Sequence, residues 1–493
     1  MRSAAANSVA DSAAAEPEAQ PLYADRVRVY PRSVSGFYRR IKWLLLVATL
    51  GIYYLVPWLR WDRGPATPDQ AILIDLPGRR AYFFFVEIWP QEAYYLTGLL
   101  ILAAISLFLA TSLLGRVWCG YACPQTVWTD LFMWMERLIE GDRVQRMRLD
   151  AAPLSAGKLV RKTAKHVVWL MIALATGGAW VMYFNDAPTV VREALTLQAS
   201  TPIYFFIGLF TVTTYLLAGL AREQVCTYMC PWPRIQAAML DEHSLIVTYR
   251  RWRGEPRGKH KQGASWEGRG DCVDCQACVQ VCPTGIDIRD GQQLECIGCG
   301  LCIDACDDIM AKVGRPTGLI AFDTLVNQER HANGQFGVYK LLRARTIVYG
   351  LVLAGVLAVM LVAWFSRSTA ELTVLRDRAP LFVQLSDGGI RNSYTIKVLN
   401  KTHAAQIYDL AFEGLPGARL SLTGESNAEA VAGRPVELAM RADTVGTFRV
   451  HLRMERSHLK GESIPVAVVL RSRNGESATH PTVFLGPKEG IGK

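Results

Sequence analysis

The sequence predicts a multi-domain membrane protein that joins transmembrane α-helices, a bacterial two-cluster ferredoxin (α+β) insert and a C-terminal antiparallel β-sandwich. Three observations predict it. Five apolar runs approach the length that spans a bilayer, roughly twenty residues each. Eight cysteines fall in two consecutive ferredoxin-type motifs. Past residue 370 the pattern turns to short alternating runs broken by Gly, Pro, Asn and Asp.

The composition agrees, with 51% hydrophobic and only 20% charged residues and 13 tryptophans. That balance suits a chain partly dissolved in lipid. The formal charge of +10 does not indicate nucleic acid. The basic residues flank apolar runs, as in Arg39-Arg40-Lys42, Arg161-Lys162-Lys165 and Arg343-Arg345. Lys and Arg in those places follow the positive-inside rule, so a nucleic-acid partner is excluded and membrane lipid is expected.

Residues 1–38 open on an Ala-rich polar stretch without a signal-peptide layout and are expected to be a disordered cytoplasmic tail. The spans are expected at Ile41–Leu59, Ala93–Leu114, Val167–Phe184, Ile203–Ala221 and Thr346–Phe365. The first four form a membrane domain over 39–240, and the fifth occupies 346–366. Tyr82–Trp89 is too short to span and is expected at the outer interface. Lys and Arg crowd the N-terminal tail, Arg116–Lys165 and Arg222–Arg345, whereas Asn185–Pro202 holds only Arg192; Arg60, Arg63, Arg79 and Arg80 in the loop Arg60–Glu92 dilute the bias without reversing it. The bias predicts a cytoplasmic N-terminus, a cytoplasmic ferredoxin domain over 241–345 and a periplasmic domain over 367–493. Within the last, segments such as SYTIKVLNK and FRVHLRME predict a sandwich of about seven strands. Its histidines show no ligand spacing, so a positioning or interaction domain is expected there.

The two hairpins of the membrane domain echo one another. The second span runs into RVWCGYACPQTVW and the fourth into EQVCTYMCPWPRI, each a C-x3-C-P motif.

The twelve cysteines all lie between Cys119 and Cys306. Their C-x2-C and C-x3-C spacings read as metal ligation in a reducing compartment rather than as disulfides. Cys272–Pro283 is C-x2-C-x2-C-x3-C-P, and Cys296–Cys306 repeats it. In such runs three close cysteines wrap one [4Fe-4S] cluster and the fourth reaches the other. Cys272, Cys275, Cys278 and Cys306 are therefore expected around one cluster, and Cys282, Cys296, Cys299 and Cys302 around the second. Zinc also suits C-x2-C pairs but does not need a triple-Cys run followed by a fourth. Asp307 stands where the second motif would carry proline, which changes local rigidity more than ligation.

Cys119, Cys123, Cys226 and Cys230 are separate. On a helical turn, residues i and i+4 face one side about 5–6 Å apart, too far for a disulfide without distortion. The two pairs are expected to converge into a soft four-thiolate site for Cu(I), zinc or an iron–sulfur centre. Met229 would add a thioether if it faced inward. A membrane haem is disfavoured, because His166 is the only histidine in or beside the spans.

This ordered set of spans, C-x3-C-P motifs, dicluster ferredoxin and exported sandwich resembles the CcoG family of cytochrome c oxidase accessory proteins, also called FixG or RdxA. The resemblance covers nearly the whole chain beyond the first two dozen residues. It implies an immunoglobulin-like outer domain, and an iron–sulfur cupric reductase of the bacterial inner membrane that supports assembly of cbb-type oxidase. It also implies copper passing between Cu(II) and Cu(I) near Cys119, Cys123, Cys226 and Cys230, with those four as the catalytic residues. The expected partners are a copper chaperone or oxidase assembly factors, an unidentified cytoplasmic electron donor and a second copy of the chain in a homodimer. Two other functions stay open on the residues alone: a quinol-linked subunit for a periplasmic reductase, and a non-catalytic assembly scaffold.

Overall fold

A computed structural model describes residues 28–487, apart from 65–66, 261–262, 264, 424–429, 432–433, 460 and 474. Among the described residues five helices are long and apolar enough to cross a membrane: Phe37–Trp58, Pro90–Leu114, Ala156–Met182, Thr201–Ala221 and Ala344–Phe365. Their large apolar side chains face outward, with Leu44, Leu100 and Leu351 each more than 60% exposed. Such surfaces are stable in hydrocarbon and not in water, and the backbone polar groups are satisfied within each helix. Small residues let the third and fourth helices approach closely. A Cβ on Gly177 would come within 2.6 Å of the Ile207 carbonyl oxygen.

The third helix starts at Ala156, eleven residues before the apolar run begins. The extension is stabilised by charge rather than hydropathy. Lys165 lies 3.0 Å from Glu140, and Lys162 reaches Glu140 at 3.0 Å and Asp150 at 2.5 Å. Glu140 belongs to an amphipathic helix, Pro124–Glu140, that closes one end of the bundle. On the same helix, buried Glu136 pairs with Arg146 and Arg222, both at 2.9 Å. Buried charges persist only when paired and hydrogen-bonded, and here each carboxylate has two or more cations.

The expectation of a disordered tail over 1–38 needs correction where it can be checked, since residues 1–27 lie outside the described part. Residues 28–36 form an extended strap, and the first helix begins at Phe37. The strap is pinned by polar contacts on both sides. Tyr30 donates to Asp150 at 2.6 Å, Ser33 donates to Asp142 at 2.6 Å, and the Arg32 N–H donates to the Gln280 carbonyl at 2.8 Å. These bonds outweigh the low hydrophobicity that suggested disorder.

Between the first two spans the chain forms a three-stranded meander, Ile72–Asp75, Arg80–Phe83 and Val86–Ile88. Tyr82–Trp89 falls within this sheet. The Ile74 N–H donates to the Tyr183 carbonyl at 2.8 Å, which ties the meander to the end of the third span.

The ferredoxin unit uses one antiparallel pair, Ile246–Tyr249 with Ile320–Asp323, and two helices, Ala277–Val281 and Leu301–Lys312. Proline at position 283 follows the short helix. The longer one continues through Asp307, whose carboxylate accepts the Gly318 N–H at 2.7 Å.

After the fifth span, two sheets pack face to face in an immunoglobulin-like sandwich. One contains Ala370–Arg376, Ile390–Asn400 and Thr444–Met454, and the other Gln406–Glu413, Val436–Met440, Ser463–Ser472 and Ser477–Leu485. Alternate residues such as Tyr394, Ile396, Val398, Val450 and Leu452 are fully buried between the sheets. Ten strands occur among the described residues instead of about seven, because two-residue edge pieces such as Val383–Gln384 carry no alternation to read. The sandwich is anchored to the foot of the second span. Glu92 is bound by Arg367 at 2.7 Å and Lys401 at 2.8 Å.

Candidate metal centre

The two cysteine runs fold around two neighbouring small cavities. Cys272, Cys275, Cys278 and Cys306 line the first. Cys282, Cys296, Cys299 and Cys302 line the second, with Cys278 at the boundary between them. The fourth cysteine of each run crosses to the other cavity because its helix carries it there. Cys306 lies one turn and more beyond Cys302 on Leu301–Lys312, and Cys282 ends Ala277–Val281.

None of the eight is in a disulfide. Burial pushes Cys278, Cys296 and Cys306 up to about 12 and Cys302 well above its ordinary value. Apolar cavities in which buried thiols resist ionising suit a group that supplies its own positive charge, which four-thiolate iron–sulfur clusters do. The chain also places a cation beside the first cavity. Arg289, fixed by Asp287 at 2.6 Å and Asp274 at 2.5 Å, lowers the cost of charge on Cys278.

The membrane-edge cysteines do not sit on α-turns as expected. Trp118–Ala122 and Val225–Met229 are both π-helical. The Cys123 N–H donates to the Trp118 carbonyl and the Cys230 N–H to the Val225 carbonyl, each at 2.8 Å across five residues. Pro124 and Pro231 cannot continue that ladder, and the following helices start from them. Cys119 is buried, the other three are partly so, and Cys123, Cys226 and Cys230 all act on Cys119 electrostatically. Burial raises Cys119 to about 12 and Cys226 to about 11. The two pairs thus lie near one another, but among the described residues no three of these sulfurs lie within 4.8 Å of one another. A single tetrahedral zinc would need them ~3.8 Å apart, given Zn–S bonds near 2.3 Å. Met229 does not face inward. It is 63% exposed, on the crest of the turn beside Tyr228.

The structure adds residues that spacing did not reveal. Gly120, inside the first C-x3-C, packs directly on the loop holding the second set of thiols. A Cβ there would stand 2.9 Å from the Ile297 oxygen, 3.0 Å from that of Gly298 and 3.1 Å from Cys299 Cα. Tyr121 donates to the Cys299 carbonyl at 3.0 Å, and Arg116 to those of Cys296 and Pro233, both at 3.0 Å. Cys119 donates to fully buried Gln236 at 3.1 Å. Lys42, buried beside Asp130, places positive charge on both Cys299 and Cys226. The only sequence signal for these was a small residue within a thiol motif and a cation one turn into an apolar helix. His166 is satisfied by Tyr215 at 2.8 Å.

Comparison with known proteins bears on the same segments. Residues 221–325 match the 4Fe-4S dicluster domain family and residues 96–140 a 4Fe-4S binding domain family. Residues 360–487 match the immunoglobulin-like fold found at the C-terminus of FixG. Nitrogen fixation protein FixG of Rhizobium meliloti is 50% identical over 464 residues, which covers 88% of each chain. Protein RdxA of Cereibacter sphaeroides is 50% identical over 436 residues, 88% of this chain and 90% of RdxA. Protein RdxB of the same organism is 47% identical over 480 residues, 94% of this chain and 97% of RdxB.

Proposed function

The chain belongs to the FixG/RdxA family of membrane-associated iron–sulfur electron-transfer proteins, and from that premise we propose that it is a cupric reductase supporting copper delivery to a cbb-type cytochrome c oxidase. The observation that carries this reading is the contact of Gly120 with the Ile297–Cys299 loop. It sets a four-thiol site against the electron-carrying domain with no intervening layer.

When bound, the two clusters supply single electrons. The chain's own residues do the rest. Arg116, Gly120 and Tyr121 fix the first thiol turn on the loop of Cys296 and Cys299. Cys119, Cys123, Cys226 and Cys230 receive copper as substrate, and their soft sulfurs favour Cu(I) over Cu(II). Each Cu(II) gains one electron and a low-potential one-electron donor protein loses one. Gln236 holds the Cys119 proton until metal displaces it. The charge pattern supports the N-terminus and ferredoxin domain on the cytoplasmic face of the inner membrane and the sandwich in the periplasm. A copper chaperone or oxidase assembly factor would then take Cu(I) from the cytoplasmic edge.

The test uses full-length protein purified without oxygen, with Cu(II) reduction followed by a Cu(I)-selective chelator. Replacing Cys119, Cys123, Cys226 and Cys230 with Ala is expected to abolish reduction while the cluster absorbance persists. Reduction that survives in this variant overturns the site.

A further inference from the structure

Across the fifth span from these thiols, three residues far apart in sequence meet. Glu87 lies on the last strand of the meander, His403 follows Ile390–Asn400, and Asp443 immediately precedes Thr444–Met454. One potential ligand atom from each lies within 4.8 Å of the other two. His403 Nδ1 is 2.9 Å from Asp443 Oδ2, and its Nε2 is 3.9 Å from Glu87 Oε1.

The carboxylates are buried, with Glu87 6% and Asp443 5% exposed, while His403 opens to solvent. Neither Oε of Glu87, nor Oδ1 of Asp443, has a hydrogen-bond partner among the described residues. Buried carboxylate oxygens without donors are costly. The nearby cations give their hydrogen bonds elsewhere, although Arg80 and Arg63 still act on Glu87 through their charge. Arg80 donates to the Asp443 backbone oxygen and stacks 3.8 Å over Trp89. Arg63 donates to the carbonyls of Phe84, Pro68, Gln70 and Ala71. Lys401 and Arg367 hold Glu92.

We infer that Glu87, His403 and Asp443 form a binding site for a divalent transition-metal cation of the Cu(II)/Zn(II) class at the joint between meander and sandwich. One imidazole and two carboxylates make a donor set for such ions, with remaining positions open through the exposed His403 face. A protonated histidine would offset one of the two carboxylates, whereas a divalent cation offsets both. The site stands apart from the thiols and does not depend on their chemistry. Its ligands come from the meander and the sandwich, so a bound ion would also fasten the sandwich to the membrane domain.

Full-length, cluster-loaded protein in detergent, carrying Ala at Cys119, Cys123, Cys226 and Cys230, is titrated with Cu(II) while the clusters are oxidised and EPR-silent. One equivalent is expected to give a nitrogen- and oxygen-coordinated Cu(II) signal with hyperfine splitting from one imidazole. H403A should lose the splitting and bind at least tenfold more weakly, and E87Q should weaken binding likewise. Equilibrium dialysis with Zn(II) on the chain with all its cysteines provides a second reading, in which H403A should hold one equivalent less. An unchanged signal in H403A, or equal Zn(II) content in the two chains, overturns the proposal and leaves an ion-paired trio only.

Discussion

The Asp304 carboxylate accepts the backbone N–H of Arg39 at 2.8 Å and that of Tyr38 at 3.2 Å. A ferredoxin side chain therefore caps the first membrane helix, whose own N-cap residue, Gly36, has no side chain to offer. The close fit is visible at Gly36, where a Cβ would overlap Asp304.

Replacing Asp304 with Ala should remove that cap at a cost of about 1 kcal/mol and loosen the docking of the cluster domain. Asn is also a good cap and should largely preserve it. Hydrogen exchange at residues 37–41 is the measurement, and it should rise in D304A with iron content unchanged. Equal protection in D304A and the parent would show that docking rests on other contacts.

Gly120 should tolerate nothing larger. An alanine methyl would press on the Ile297 and Gly298 carbonyls, and such overpacking costs about 1–3 kcal/mol. The turn and the loop would be driven apart, and a misplacement near 1 Å can slow a step on the order of tenfold or more. G120A is expected to keep both clusters and to reduce copper about tenfold more slowly in stopped-flow assays. An unimpaired rate would mean that electrons do not cross at this contact.

Because the fourth cysteine of each run serves the other cavity, single replacements should sort by cavity and not by motif. C306A should destabilise the same cluster as C275A, although the two residues belong to different runs. C282A should act with C299A. Iron should fall by about half in each, and the reduced protein should lose the EPR features of two coupled clusters. If C306A instead behaved like C299A, the crossed ligation would be wrong.

The grouping of the eight cysteines around two cavities was readable because their spacing is local and cluster chemistry demands four thiolates per cubane. The spans were readable because hydropathy over some twenty residues is local too. What escaped was long-range. Nothing near Gly36 announces Asp304, and nothing around His403 announces Glu87, which is brought to it by the docking of two units. The start of the third helix at Ala156 was missed for a related reason, since Lys162 and Lys165 look like a loop until Glu136 and Glu140 lie beside them. Met229 shows the converse error. The spacing placed it between two cysteines, but a π-turn turns the crest residue outward.

Lys42 links the two thiol regions electrostatically. Burial raises the Cys299 thiol, and the Lys42 ammonium is the foremost charge opposing that rise; it also acts on Cys226. A buried cation stabilises whichever partner is more anionic, so it should favour the reduced form of the cluster held by Cys299. K42M keeps the length of the side chain and removes the charge. Asp130 would remain paired, since Arg39 holds both its oxygens at 2.9 and 2.8 Å. The expected result is a shift of the second cluster to more negative potential, on the order of tens of mV, with the first cluster little changed because Arg289 supplies its charge. Redox titration followed by EPR would separate the two. A shift confined to the cluster of Cys272, Cys275, Cys278 and Cys306 would place Lys42 on the wrong path, while no shift in either would show that Asp130 already cancels its charge.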